Sequence, residues 1–245
     1  MTSRTAGSVK LLAVVTGTVL ICGLVWAQEK GAGLLKPGAR IPGAFQALSV
    51  TLPPTMLKPI PQAGRFHCPV CEYRLNPAVL IFARQPDSPD DAGKSASLTG
   101  LLKKLDAVIA KHPDLQVGAC AMFNDGGYMK QLLADLDEAT GSPSAPVKEA
   151  EFTKAIEFKE AAEAKLKDYA KAANFQHVAL SLGLPEAYPI PANNDVRVLF
   201  YYKHEVVFDE AFPRDKLTDA AIDKIVKTVD DKLTEIENES RAKKK

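Results

Sequence analysis

Residues 196–212 read VRVLFYYKHEVVFDEAF, and this stretch predicts how the chain completes its fold. Two runs of apolar, β-prone residues flank the pair Lys203-His204, which is the pattern of a β-hairpin with a tight turn. Farther along, residues 218–236 carry apolar side chains at helical spacing, and Thr218 stands where an N-cap belongs. The pattern therefore predicts two antiparallel strands followed by an amphipathic helix.

Upstream of the hairpin, apolar runs alternate with stretches of helical pattern. The apolar runs predict strands at Ala78–Ala83, 115–123 and 176–182. The helical patterns predict helices at 98–111, Tyr128–Ala139 and Glu149–Ala173. Strands joined through helices pair in parallel, and the hairpin adds antiparallel strands. The sequence therefore predicts an α/β fold with a mixed central sheet and helices on both faces.

This order of elements, with the Ala211-Phe212 segment that ends the hairpin, resembles the thioredoxin-like superfamily over residues 66–237. The resemblance implies a three-layer sandwich, in which a central mixed sheet carries helices on both faces. It also implies thiol–disulfide chemistry, which enzymes of this superfamily perform with a Cys-x-x-Cys motif. Because one fold can carry many activities, this activity depends on the position of the cysteines.

The chain departs from the superfamily pattern at two places. Family enzymes usually carry their cysteines just after the first core strand, but the segment that follows Ala78–Ala83 reads RQPDSPDDAGK and contains none. Family enzymes also usually place a cis-proline before the hairpin, where this chain has Asn194-Asp195, with Pro191 a few residues upstream. We therefore expect the scaffold to be kept without the standard active site.

Residues 67–71 form the sharpest local motif, His-Cys-Pro-Val-Cys. A two-residue spacer lets the sulfurs of Cys68 and Cys71 bond each other or share a metal. The thiolate is the nucleophile in disulfide exchange, and a cationic His67 beside Cys68 would favour it. The motif thus indicates paired cysteine chemistry, displaced to a position before the first core strand.

Three interpretations of this motif stay open on the sequence alone. In the leading one, Cys68 attacks a disulfide and Cys71 resolves the intermediate, with protein thiols or disulfides as partners. In the second, the cysteines form a structural disulfide in a non-catalytic binding module. In the third, His67, Cys68 and Cys71 bind a metal: zinc wants four ligands, whereas copper accepts fewer and softer ones. No other cofactor is predicted.

The remaining candidate residues favour structural roles. Cys120 lies in an apolar run, so we expect a small buried hydrophobe rather than a resolving thiol or metal ligand. Asp87, Asp90 and Asp91 form an acidic loop, which we expect to be flexible rather than a cation site. His112 is expected to be a cation at a helix C-terminus or a surface residue, and His177 and His204 are expected at the surface.

Composition narrows the class of protein. The 245 residues are 46% hydrophobic and 25% charged, which is ordinary for a globular chain with a real core. The net charge is +1, from 31 basic and 30 acidic residues, so no nucleic-acid binding is predicted. The sequence also lacks a Ser-His-Asp order, an HExxH motif and a dinucleotide-binding fingerprint.

The N-terminus predicts export. Arg4 and Lys10 precede an apolar run at 11–26, and Ala27 ends a plausible cleavage site, so residues 1–27 have the pattern of a signal peptide. The predicted location is periplasmic or extracellular, with membrane attachment only if the signal stays uncleaved. An exported compartment is usually oxidising, which permits a disulfide.

Four regions follow from these patterns. After the signal, residues 28–64 are rich in proline and predict an extended leader with an edge strand at 47–52. Residues 65–237 are the predicted thioredoxin-like domain. Residues 238–245 are charged, and we expect them to form a flexible tail.

Overall fold

The computed structural model of the protein describes four stretches of the chain: residues 33–52, 63–88, 93–139 and 149–243. The predicted signal at 1–27 lies outside these stretches, as do Asp90 and Asp91. None of the helices in the described part of the chain combines the length and the apolar character that crossing a bilayer requires.

Seven strands form one mixed sheet. In chain order they are β1 (Ala47–Thr51), β2 (Phe66–His67), β3 (Ala78–Ala83), β4 (Gly118–Phe123), β5 (Ala179–Leu182), β6 (Val196–Tyr202) and β7 (Glu205–Phe212). Across the sheet they lie in the order β2-β1-β5-β4-β3-β6-β7. The three predicted strands and the predicted hairpin are therefore all present.

Five α-helices accompany the sheet in the described residues. They are α1 (Pro69–Tyr73), α2 (Leu98–Ala110), α3 (Tyr128–Ala139), α4 (Glu149–Ala173) and α5 (Asp219–Ala242). Thr218 caps α5 as predicted, because its hydroxyl accepts the N–H of Ala221 at 3.3 Å. The helix α5 continues past residue 237, so its last turn lies in the segment predicted as a flexible tail.

The connections explain which face each helix covers. β3, β4 and β5 pair in parallel and follow one another in one direction across the sheet, as the alternating pattern predicted. Right-handed crossovers taken twice in one direction place both connecting helices on the same face. The hairpin β6–β7 completes the other side of the sheet, where β6 pairs with β3 in antiparallel orientation.

Each face of the sheet has its own apolar core. On the first face, side chains of the sheet pack against α2, α4 and α5; the members include Val79, Ile81, Leu101, Leu105, Leu166, Ile225 and Val229. On the second face, residues such as Leu80, Phe82 and Leu199 pack against α1, the segment 33–46 and the loop around Tyr188. The predicted three-layer α/β arrangement is confirmed, with α1 as the helix of the second outer layer.

The segment 33–46, which we call the strap, is held on the second face by hydrogen bonds. Gly38 N–H donates to the Val206 carbonyl at 2.8 Å, and Ile41 N–H donates to the His204 carbonyl at 3.0 Å. The strap then runs into β1, which lies between β2 and β5. The strand expected at 47–52 is therefore present, but the expectation that it would be an edge strand was wrong.

Candidate functional site

Cys68 and Cys71 meet at the start of α1. Cys68 is the N-cap residue in an extended backbone conformation, and its Sγ accepts the N–H of Cys71 at 3.2 Å. Pro69 follows at the first helical position, where its fixed φ suits the helix and its missing N–H is no loss. The Cys-Pro-Val-Cys sequence thus builds its own helix N-terminus, with a sulfur at the capping position.

The two thiols differ in exposure, and the pKa of Cys71 is shifted. Cys71 is exposed, whereas Cys68 is half-buried. The hydrogen bond with Cys68 raises the pKa of Cys71 to about 11, and burial and the charges of Cys68 and Glu72 act in the same direction. Cys71 is therefore held as a thiol while Cys68 is free. Once Cys68 is joined to another sulfur, its charge is gone and the pKa of Cys71 falls.

His67 does not face the sulfurs. Its side chain is only 1% exposed, and its Nδ1 lies 3.0 Å from both carboxylate oxygens of Glu72. Its Nε2 lies 2.8 Å from the Ser181 hydroxyl, which in turn lies 3.4 Å from Cys120 Sγ. A continuous chain of polar contacts therefore runs from Glu72 through His67 and Ser181 to Cys120.

The order carboxylate, imidazole, hydroxyl at Glu72, His67 and Ser181 is also the order of a nucleophilic triad. A triad hydroxyl must reach a substrate, but Ser181 has 0% exposure on the central strand β5. This arrangement therefore serves as a buried hydrogen-bond network rather than as a hydrolase site.

Cys120 is fully buried on β4, in agreement with the expectation of a small buried hydrophobe. Burial raises the pKa of this thiol to about 12, so it stays protonated at neutral pH. Its pairing with the Ser181 hydroxyl satisfies the thiol within the core. Cys120 is not brought to the surface where Cys71 lies.

Two expectations about polar residues were wrong. Asp87 is not part of a flexible acidic surface: it is buried, accepts both the N–H and the hydroxyl of Thr99 at 2.6 Å, and pairs with Arg214 at 2.7 Å. The surface alternative for His112 was wrong as well, because this residue is buried just past the end of α2 and lies 2.9 Å from Asp230. These partners are distant in sequence, so no local pattern reveals them. His177 and His204 are half-buried.

The metal interpretation finds no assembled ligand set in the described stretches. No group of three or more His, Cys, Asp or Glu side chains in those stretches is arranged to hold a metal ion. His67, the third candidate ligand beside Cys68 and Cys71, directs both ring nitrogens to Glu72 and Ser181. Metal binding through His67 would require those contacts to break.

A cavity of about 660 Å³ opens on the first face, between α4 and the carboxyl ends of β3, β4 and β5. Leu166 and Tyr169 line it from the helix, and Phe123 and Leu182 line it from the strands. Its lining contains no cysteine, so the paired thiols lie elsewhere in the fold.

The topology agrees with the resemblance noted in the sequence. A parallel β3–α2–β4 unit is joined to an antiparallel β6–β7 hairpin and the closing helix α5, with the strand order β4-β3-β6-β7. The described strands therefore have the order and the connections that a thioredoxin-like fold requires. No protein-family model matches the sequence, and no curated protein matches it.

Several solved structures show a distant likeness to this chain. A thioredoxin-like protein from Aeropyrum pernix is 12% identical, with a TM-score of 0.36, over 75% of this chain and 87% of that one. Copper-bound ScoI from Bradyrhizobium japonicum is 12% identical, with a TM-score of 0.33, over 76% and 96% of the two chains.

The thioredoxin domain of a thiol-disulfide oxidoreductase from Bacteroides vulgatus is 14% identical, with a TM-score of 0.30, over 78% of this chain and 99% of that one. Likenesses this distant carry no activity over to this chain.

Both departures from the thioredoxin-like pattern are visible in the structure. The segment after β3 carries the buried Asp87 in place of cysteines, and the paired cysteines precede β3 on α1. Before β6, Asn194 and Asp195 are fixed by backbone contacts to Arg84, whose N–H donates to the Asp195 carbonyl and whose Nε donates to the Asn194 carbonyl.

Sequence reasoning missed two kinds of residue at this site. Glu72 directly follows Cys71, and its spacing of five residues from His67 was the one sequence signal for the contact between the two side chains. Ser181 and Tyr201 gave no signal. The Tyr201 hydroxyl is buried and has no hydrogen-bond partner among the described residues, and burial raises its pKa, as do the charges of the nearby thiols.

Proposed function

We propose that this protein exchanges disulfides with cysteine-containing polypeptides through Cys68 and Cys71. The observation that supports this most is the position of Cys68 Sγ at the N-cap of α1, where it accepts the Cys71 N–H at 3.2 Å. A donated N–H favours a negatively charged sulfur, and the thiolate is the form that attacks disulfides.

The exchange proceeds in two balanced steps. Cys68 thiolate attacks one sulfur of a substrate disulfide; a bond forms between the two sulfurs, the substrate bond breaks, and the departing sulfur takes up a proton. Cys71 then loses its proton and attacks Cys68 Sγ, which releases the second substrate thiol and leaves a Cys68–Cys71 disulfide. Two electrons pass from the dithiol to the substrate, and the reverse sequence oxidises a substrate dithiol.

The exposed surface near the motif supports a polypeptide partner. Phe66 is 41% exposed just before the motif, and Leu75 is 58% exposed just after α1. Cys71 lies exposed between them along the chain. We propose that these exposed apolar side chains contact the polypeptide substrate when it reaches Cys71.

The experiment is a redox titration of the reduced full chain with Cys22→Ser, by thiol alkylation across glutathione buffers. We expect a Cys68–Cys71 midpoint between about −270 and −120 mV, the range of oxidoreductases. A Cys71→Ser variant should trap a mixed disulfide on Cys68, and Cys120→Ala is the matched control that should not. A midpoint below about −300 mV, with loss of fold on reduction, would instead mark a structural disulfide.

The same preparation addresses the metal alternative. Metal retained through purification in stoichiometric amount, and lost in a Cys68→Ser variant, would favour a metal-binding role for Cys68 and Cys71. Soft thiolate ligands would select copper or zinc. We expect no such retention, because His67 is committed to Glu72 and Ser181.

We also infer that the protein is exported, on the strength of the signal-like pattern at residues 1–27. An oxidising compartment supplies disulfides on which Cys68 and Cys71 can act. Cell fractionation with N-terminal sequencing tests this: recovery outside the cytoplasm with an N-terminus at Gln28 is expected. An intact N-terminus in the cytoplasmic fraction would refute export.

A further inference from the structure

His67 and Glu72 bracket the dithiol at both ends. His67 directly precedes Cys68, Glu72 directly follows Cys71, and the imidazole Nδ1 lies 3.0 Å from both Glu72 oxygens. This contact closes a ring around the four residues of the Cys-Pro-Val-Cys turn. The same four residues carry the hydrogen bond from Cys71 N–H to Cys68 Sγ.

The bracket is anchored to the sheet. His67 Nε2 lies 2.8 Å from the hydroxyl of Ser181, which is fully buried on β5. With a neutral imidazole, Nδ1–H donates to Glu72, Nε2 accepts the Ser181 O–H, and the Ser181 oxygen accepts the Cys120 S–H at 3.4 Å. Each polar group in this row of hydrogen bonds then has a partner. The ring orientation of His67 is therefore fixed.

The helix that carries the thiols needs such an anchor. Five residues, Pro69–Tyr73, are too few for α1 to be stable by helix propensity alone. If its first turn frays, the Cys71 N–H no longer points at Cys68 Sγ. The contact that holds both ends of the turn therefore controls how well the capping sulfur is stabilised.

We propose that His67 and Glu72 are positioning residues, which hold the Cys68–Cys71 turn in the geometry that activates Cys68. This role rests on the proposed exchange function, because it assigns these residues to the same pair of thiols. In this role neither residue exchanges a proton with the reacting sulfurs. Both act by fixing the position of the Cys71 N–H relative to Cys68 Sγ.

The test compares Glu72→Gln with Glu72→Ala. Both variants remove the carboxylate charge, but only glutamine keeps a side-chain oxygen that accepts the His67 Nδ1–H. The readout is the rate at which iodoacetamide alkylates Cys68 in the fully reduced protein at pH 7, read by mass spectrometry. We expect Glu72→Ala to react about fivefold more slowly than Glu72→Gln, the size of effect expected for a lost cap interaction.

The midpoint potential gives a second readout that a purely structural contact would not move. A less stabilised Cys68 thiolate makes the disulfide harder to reduce, so Glu72→Ala should have a more negative potential than Glu72→Gln. Glu210→Ala is the matched control. It removes a carboxylate on β7 that forms an ion pair with Lys224 on α5 at 2.7 Å. It should match the wild type in both readouts.

Equal alkylation rates in Glu72→Gln and Glu72→Ala, with both proteins folded by circular dichroism, would overturn the positioning role. If Glu72→Ala does not fold, His67→Gln, which keeps an amide donor for Glu72, is compared with His67→Leu by the same readouts. The alkylation comparison needs no disulfide substrate. A wild-type potential in the range of structural disulfides would therefore defeat the exchange function and leave this comparison decisive for the positioning role.

Discussion

Cys71 is a thiol whose protonation depends chiefly on one neighbour. Its pKa is raised to about 11, first by the hydrogen bond with Cys68. Replacing Cys68 with serine removes the sulfur charge, so the pKa of Cys71 should fall toward the ordinary thiol value of about 8.5. Alkylation of Cys71 between pH 7 and 11, followed by mass spectrometry, measures the shift. Cys120→Ala, which leaves the pair intact, should keep the high value.

The wild-type protein offers an independent check on which of the two thiols reacts first. At pH 8 and short reaction times, singly labelled molecules should carry the label on Cys68, even though Cys71 is the more exposed thiol. Label found mainly on Cys71 would show that exposure, rather than ionisation, governs reactivity. It would also reverse the proposed roles of the attacking and resolving sulfur.

Arg197 and Asp209 form a second residue pair with a measurable consequence. The guanidinium is 1% exposed and binds the carboxylate through two hydrogen bonds, of 2.9 and 2.5 Å. The same carboxylate accepts the Leu35 N–H of the strap at 2.7 Å. Asp209→Ala leaves a buried charge without its partner, so we expect a loss of about 3–5 kcal/mol in the free energy of unfolding.

Denaturant titration measures that loss. Asp231→Ala is the control, because it breaks the exposed pair with Lys227 on α5 and should cost less than about 1 kcal/mol. A cost for Asp209→Ala no larger than that of the control would show that the buried pair does not hold the strap. Replacing both partners with apolar residues of similar volume should recover part of the stability.

The short helix α1 packs closely against β4 at Gly118. A Cβ at Gly118 would lie 2.3 Å from the ring carbons of Tyr73, so only glycine lets that ring lie against the strand. Gly118→Ala must therefore displace α1, and overpacking of this kind costs about 1–3 kcal/mol. Denaturant titration measures the stability, and the Cys68 alkylation rate reports whether the displaced helix keeps its N-cap.

Two companion variants show whether the Tyr73 ring is the cause. Gly93→Ala adds a methyl group where no atom lies within 4 Å, so it should leave both stability and alkylation unchanged. Tyr73→Leu should recover part of what Gly118→Ala loses, because the smaller side chain makes room. A Gly118→Ala protein as stable as Gly93→Ala would mean that α1 tolerates the methyl group without moving.

The sequence predicted the elements whose signal is local. The apolar runs of β3, β4 and β5 and the hairpin β6–β7 were found because burial on both faces and tight turns leave continuous or punctuated patterns. It placed the strand β1 at an edge of the sheet, because its partner β5 is far away in the chain and gives no local signal.

At the candidate site, the sequence predicted the pair of cysteines but not their polar neighbours. Cys68 and Cys71 are recognised from the sequence because a two-residue spacer lets their sulfurs react with each other. The orientation of His67 depends instead on Ser181, which lies 114 residues away. Asp87 and His112 were misjudged for the same reason, because a polar residue becomes a core residue only through its partners. Long-range pairing of polar groups is the information that periodicity does not hold.

The sheet of the whole molecule includes a strand from the segment predicted as a leader. The strap and β1 lie before residue 65, the predicted start of the domain, yet β1 pairs with both β2 and β5. The strap covers the second face, where Leu35, Ile41 and Phe45 pack with the core around Tyr188. Without these residues, β2 loses its partner strand and one face of the sheet meets water.

We therefore expect a chain that starts at residue 65 to lack a cooperative unfolding transition, whereas a chain that starts at residue 28 should unfold in one step. The reason is the apolar surface that the strap and β1 bury, since the slope of a denaturant transition scales with the area exposed on unfolding. Unfolding of both chains in urea is followed by circular dichroism and by the near-ultraviolet signal of the tyrosines. Equal midpoints and slopes for the two chains would show that the domain folds without the strap and β1. Residues 28–64 would then be a linker, as the sequence predicted.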